Sequence, residues 1–160
     1  MLEVIEFLDP PESIAYFKIF TRIEYSLKQA GYSKINQKNN TIDADWEKFA
    51  RFTSENFKEE HFPGYISAKE YLLAEPPRRQ IGAADGSIAF EEVPGALAGR
   101  NDFERLISAA KRVRNNLYHG GKMSWNDDYE RNNILIKHCH EVLEAAVKSN
   151  NAVFDAYMGA

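Results

Sequence analysis

Between Asp102 and Gly121, six apolar residues recur at helical spacing: Phe103, Leu106, Ile107, Ala110, Val113 and Leu117. The run ends in two consecutive glycines. At ~100° per residue these side chains fall on one stripe. Glycine accepts the left-handed conformation that closes a helix, so Gly120-Gly121 sets the stop. A helix with one apolar stripe must bury that stripe against other elements, and the rest of the chain supplies matching ones.

The segment from Pro11 to Ala30 opens on prolines and acids (Asp9-Pro10-Pro11-Glu12) and closes at Gly31. Tyr16, Phe17, Phe20, Ile23 and Leu27 form its stripe, with Glu24 set inside it. A second helix is predicted from Asp43 to about Glu59, capped by Asp43 or Asp45, with Trp46, Phe49, Ala50, Thr53 and Phe57 facing inward. A shorter helix follows over Ser67–Ala74. The last long helix starts near Asp127-Asp128 and runs to about Ser149, with Tyr129, Ile136, Leu143 and Val147 on its inner face. A tail helix is predicted around Val153–Tyr157. Residues 75–99 differ in texture, being rich in proline and glycine. Asp85-Gly86 there sits between two short segments able to pair as a hairpin. The expected fold is all-α: a single domain over residues 1–160, a four- to five-helix up-and-down bundle, with 75–99 an irregular loop or short hairpin insertion before the third long helix.

The 160 residues suffice for one buried core. A content of 44% hydrophobic and 28% charged residues excludes a disordered chain. The net charge of −4 gives no global attraction for nucleic acid or an anionic membrane, so any nucleic-acid contact must rest on a local patch. Cys139, the single cysteine, has no internal disulfide partner. The first six residues are acidic where a signal peptide would be basic, and no apolar run reaches membrane-spanning length. The expectation is a soluble cytoplasmic protein without a membrane partner.

One residue breaks the third helix's pattern. Arg114 projects between Ile107 and Leu117, on the apolar side, while Arg105 and Arg112 fall opposite. A buried charge without a partner is costly. Glu24, the carboxylate inside the first stripe, is its expected partner. From Arg100 to Lys122 there are six basic residues (Arg100, Arg105, Lys111, Arg112, Arg114 and Lys122) and two acids, a basic island in an acidic chain. His119 stands five residues after Arg114, where the chain turns at the glycines, so its imidazole can fold back toward the guanidinium. A helix carboxyl end favours its protonated form. An arginine that holds phosphate beside a histidine that moves a proton is what RNA cleavage without a metal requires.

Arg114-Asn115-Asn116-Leu117-Tyr118-His119-Gly120-Gly121-Lys122 resembles the HEPN superfamily of small helical bundles, marked by arginine, a following polar residue and a histidine four to six positions on. The string looks like a plasmid- and phage-associated bacterial branch. The resemblance implies metal-independent endoribonuclease activity: attack of the ribose 2′-hydroxyl on the adjacent phosphate, leaving 2′,3′-cyclic phosphate and 5′-hydroxyl ends. His119 is then the general acid or base, Arg114 orients the phosphate and stabilises its charge, and Asn115 positions either one. It also implies RNA as substrate, a homodimer with a composite active site, a role as toxin or antiphage effector, and an antitoxin or regulatory protein that restrains it. From the residues themselves, Tyr118, Lys122, Lys111 and Glu24 join the expected substrate-binding set. No cofactor and no metal is expected.

Two other readings use the same residues. In one, a non-catalytic helical module binds a nucleotide, RNA or protein through Arg114 and His119. In the other, Arg114 and Glu24 form only a packing bridge and His119 a helix cap. Elsewhere, His138 and His140 flank Cys139 at a spacing that turns them to different sides and makes no metal pair. His140 is expected in the core, His61 in a loop, and Asp127-Asp128 at a helix start. Phosphate-loop and dinucleotide glycine patterns and an elbow serine are absent.

Overall fold

A computed structural model of the chain describes residues 11–91, 97–118 and 129–159. Among these, six α-helices carry the architecture: α1 (Pro11–Gln29), α2 (Trp46–Ser54), α3 (Pro63–Ala74), α4 (Asp102–Tyr118), α5 (Tyr129–Lys148) and α6 (Asn151–Met158), with a 3-10 turn at Glu59–His61. The chain is mainly helical but not all-α. Two antiparallel hairpins interrupt the helices: β1 (Ser33–Asn36) with β2 (Thr41–Ala44), and β3 (Arg79–Gly82) with β4 (Ile88–Glu91). No helix among the described residues is long and apolar enough to cross a membrane.

The α4 limits match the sequence pattern, and its stripe is buried: Leu106 and Ala110 have no exposure, and Phe103, Ile107 and Val113 little. It packs against α5, which brings Leu135, Cys139, Val142, Leu143 and Ala146 into the same core. α3 packs along α5, and α2 against α4. The other helices close the core from the sides, α1 contributing Tyr16, Phe20, Ile23 and Leu27, with α6 covering α1 and α5. Aromatic rings fill the spaces between elements: Phe57 lies 4.5 Å from Phe103 and 4.6 Å from Tyr65, and Phe20 lies 4.8 Å from Trp46. They serve as packing, through large buried area and tilted contacts.

Where the structure departs from the sequence reading, local chemistry explains why. The expected helix over 43–59 is shorter, because Thr41–Ala44 is taken by β2, and Asp45 Oδ1 then caps α2 by accepting from Lys48 N at 3.0 Å. Asn40 adopts a positive φ of 55°, which turns the β1–β2 hairpin. Phe17, assigned to the first stripe, lies at its edge and remains exposed. α3 begins four residues earlier than predicted, at Pro63, where a missing N–H costs nothing. The second hairpin forms around Asp85-Gly86 as expected: Gly86 takes φ 82°, and Asp85 Oδ1 accepts from Ser87 N at 2.9 Å. His140 is only half-buried.

Candidate functional site

The site grows from the last turns of α4. Arg114 leaves the helix at the margin of the apolar stripe, half-buried, with its guanidinium carbon 5.4 Å from the centre of the Phe20 ring. That contact places the planar cation on an aromatic face while its edge reaches outward. Nη1 donates to Asn115 Oδ1 at 3.1 Å, and Nη2 lies 3.7 Å from Glu24 Oε2. The sequence expectation that these two oddly placed charges face each other is met in geometry. The separation, however, is an ion pair's and exceeds hydrogen-bond reach. Nε is fully covered and makes no hydrogen bond. Buried donors are nearly always partnered, so this one marks a guanidinium held short of full satisfaction.

Glu24 is fixed from its other side. Trp46, at the start of α2, donates its indole N–H to Glu24 Oε1 at 3.3 Å. The chain Trp46–Glu24–Arg114 therefore joins α2, α1 and α4. Trp46 carries the polar tip of a core ring, and the sequence reading gave it no role beyond packing.

Around α4, the remaining predicted residues separate. Asn115 is exposed beside Arg114 and hydrogen-bonds to it. Asn116, with no assigned role from the sequence, is 4% exposed and donates to the Arg78 carbonyl at 2.8 Å. Arg112 Nη1 donates to the Pro77 carbonyl at 3.1 Å, and Arg131 of α5 to the Pro76 carbonyl at 3.2 Å. The stretch 76–78 is thus strapped across α4 and α5, and it carries β3 with it. Burial, and then the nearby Arg79 charge, lower the affinity of Arg112 for its proton. Lys111 lies half-buried one turn before Arg114. Tyr118 is the last residue of α4. His119, Gly120-Gly121 and Lys122 lie outside the described residues, as do Asp127-Asp128.

Other titratable groups occupy separate surroundings. His138 stacks on Tyr71 with ring centres 4.6 Å apart. Burial holds its pKa below the ordinary histidine value; Lys137 adds to this and Glu141 opposes it. Cys139 is buried, and burial pushes its thiol up to about 12, so it is an inert core residue. Among the described residues, no three His, Cys, Asp or Glu side chains gather as a metal-holding group.

A groove of about 390 Å³ opens between α2 and α4 beside this site, and Trp46, Arg51, Arg100 and Lys111 are among its walls. Another, of about 490 Å³, lies between α1 and α5, lined in part by Tyr16, Ile134, Asn133 and His140. No protein-family model matches the chain, and neither a curated protein nor a solved structure shows significant similarity to it.

Proposed function

We propose that the chain is a metal-independent endoribonuclease of HEPN type, in which Arg114 and His119 act on one phosphate of an RNA strand. The observation that carries this reading is the state of Arg114. Its guanidinium is oriented by Phe20 and Asn115 and paired only loosely with Glu24, five residues before a histidine. A phosphate oxygen is a better acceptor for a planar guanidinium than a carboxylate 3.7 Å away. Glu24 then serves as a placeholder that keeps the cation aligned until RNA arrives.

In the proposed reaction His119 removes the proton from the ribose 2′-hydroxyl, or returns one to the departing 5′-oxygen. Arg114 neutralises charge that builds on the phosphate, and Asn115 holds it in place. The products are a 2′,3′-cyclic phosphate and a 5′-hydroxyl. Because the nucleophile is the 2′-hydroxyl, DNA is not cut. A homodimer places two such motifs at one composite cleft, with Tyr118, Lys122 and Lys111 contacting the substrate. A toxin or antiphage role, with an antitoxin or regulatory partner in the cytoplasm, follows from the same resemblance.

The second reading, a binding module without turnover, is favoured by the hydrogen bond from Trp46 to Glu24, which makes the Glu24–Arg114 pair part of a fixed frame. Incubating single-stranded RNA with the protein in EDTA and labelling new 5′-hydroxyl ends separates the two. Cleavage by the wild type that is lost in His119→Ala and Arg114→Ala supports the nuclease. RNA that binds and stays intact refutes it.

A further inference from the structure

Glu24 stands between two donors that pull its carboxylate in different directions. Oε1 accepts from the Trp46 indole N–H at 3.3 Å, and Oε2 lies 3.7 Å from Arg114 Nη2. Among the described residues, the indole supplies the carboxylate's single hydrogen bond. A carboxylate free to settle on a guanidinium does so at about 2.7–2.9 Å, through charge-assisted bonds stronger than neutral ones. Glu24 stops well short of that, although its side chain is long enough to adjust without any movement of α1.

The indole is placed by contacts that do not involve Arg114. The Asp45 backbone N–H donates to the Tyr32 carbonyl at 2.9 Å, and its side chain caps α2, so Trp46 begins that helix at a fixed point. The Trp46 ring is 4% exposed, packs 4.8 Å from the Phe20 ring centre and meets Phe49 edge-on at 6.2 Å. It cannot follow Glu24 toward Arg114 without leaving both rings. Phe20 also carries the guanidinium, whose carbon lies 5.4 Å from its centre. One ring therefore supports both the donor that holds Glu24 and the cation that attracts it. Asn115 takes a hydrogen of Arg114 Nη1, while Nη2 makes no hydrogen bond among the described residues.

We infer that Trp46 is a positioning residue: it holds Glu24 off Arg114, and so sets how strongly the chain's own carboxylate competes with an incoming phosphate for Nη2. Without the indole N–H, Oε1 loses its partner and the carboxylate turns onto the guanidinium, because a partly buried acceptor beside a cation takes the nearest donor. Arg114 is then closed by a direct salt bridge. The inference rests on the ribonuclease reading for the identity of the anion, a phosphodiester. The separation that Trp46 imposes on Glu24 and Arg114 does not depend on cleavage.

The test uses Trp46→Phe, which keeps a ring against Phe20 and Phe49 but removes the N–H, and Glu24→Gln, which keeps an acceptor for the indole but removes the competing charge. One measurement needs no RNA. Coupling between Arg114→Ala and Glu24→Ala, taken from urea unfolding, should rise by a factor of about three in the folding constant in the Trp46→Phe background, as for a partly exposed pair brought into contact. The other uses fluorescently labelled 2′-O-methyl RNA, which has no free 2′-hydroxyl and cannot be cut. Trp46→Phe should weaken its binding about threefold, and Glu24→Gln should tighten it by about the same factor. The double variant should bind like Glu24→Gln alone, since Trp46 acts through the carboxylate. A ring that only packs would weaken binding equally in both backgrounds, which overturns the inference. So does unchanged coupling in the Trp46→Phe background, or a Glu24→Gln protein that binds RNA no tighter than the wild type. If Trp46→Phe melts too low to be assayed, that last comparison decides. Cleavage of ordinary RNA in EDTA keeps the two ideas apart. Cleavage with unchanged coupling retains the nuclease and loses the role of Trp46. In a wild type that neither binds nor cuts RNA, the nuclease reading falls and the coupling alone decides.

Discussion

Arg114 Nη2 on α4 lies 3.7 Å from Glu24 Oε2 on α1, two half-buried charges that face each other across the helix contact without a direct hydrogen bond. Their energetic coupling should therefore be small. A double-mutant cycle on Arg114→Ala and Glu24→Ala is expected to give about 0.5 kcal/mol, as for partly exposed pairs. Arg114→Ala should cost somewhat more by itself, through lost contact with Phe20. A coupling of several kcal/mol, read from urea unfolding of the four proteins, would instead mark a structural bridge and weaken the case for a functional arginine.

Asn116→Ala should detach the second hairpin from the helices. The Asn116 side chain is buried, and the substitution removes its hydrogen bond to the Arg78 carbonyl, which ties β3 to α4. A loss of about 1–2 kcal/mol is expected, with faster amide exchange concentrated in Arg79–Glu91. Uniform exchange throughout the chain would refute the strap.

Gly99 and Gly64 are both crowded, yet they should respond differently to alanine. Gly99 has φ 151°, and an added Cβ would sit 2.6 Å from Arg105 N and 2.7 Å from Glu104 Cβ, at the start of α4. Neither the strained backbone nor the helix can yield cheaply, so Gly99→Ala should cost about 2 kcal/mol or more. At Gly64 an added Cβ would clash with the Glu141 carboxylate, at the far end of a flexible side chain. Gly64→Ala should lower the melting temperature less than Gly99→Ala; the reverse order would show that the Glu141 carboxylate is held firmly.

Acid should destabilise the fold through His138. Burial against Tyr71 depresses its folded-state pKa, so on acidification the unfolded chain takes up the proton first. Its contribution is full above the unfolded value of about 6.5 and is lost as pH falls below it. The drop in melting temperature from pH 7.5 to 5.5 should be smaller in His138→Phe, which keeps a stacked ring but cannot titrate. Identical slopes would remove His138 from the acid response.

The helices were readable because their signals are local. Apolar spacing placed α4 residue for residue, Gly31 ended α1, and Asp85-Gly86 turned the second hairpin. The charge oddities of Arg114 and Glu24 could also be read, since a charge on an apolar stripe demands a partner wherever the helices meet. The β1–β2 hairpin was not legible. Ser33–Ala44 is polar, and its one cross-strand apolar pair, Ile35 with Ile42, is exposed. It therefore carries no hydrophobic alternation to read.

The sequence by itself determined which faces must be buried, because burial of an apolar stripe follows from its spacing whatever it meets. It also set the order of Arg114, Asn115 and His119 along the chain. Tertiary structure decided the rest: that the Trp46 indole holds Glu24 in front of Arg114, that Asn116 ties down Arg78, and that Arg51, Arg100 and Lys111 share one groove. Each of these joins residues distant in the chain through a directional bond or a shared wall. Such contacts depend on the angles at which helices cross, which no local pattern encodes.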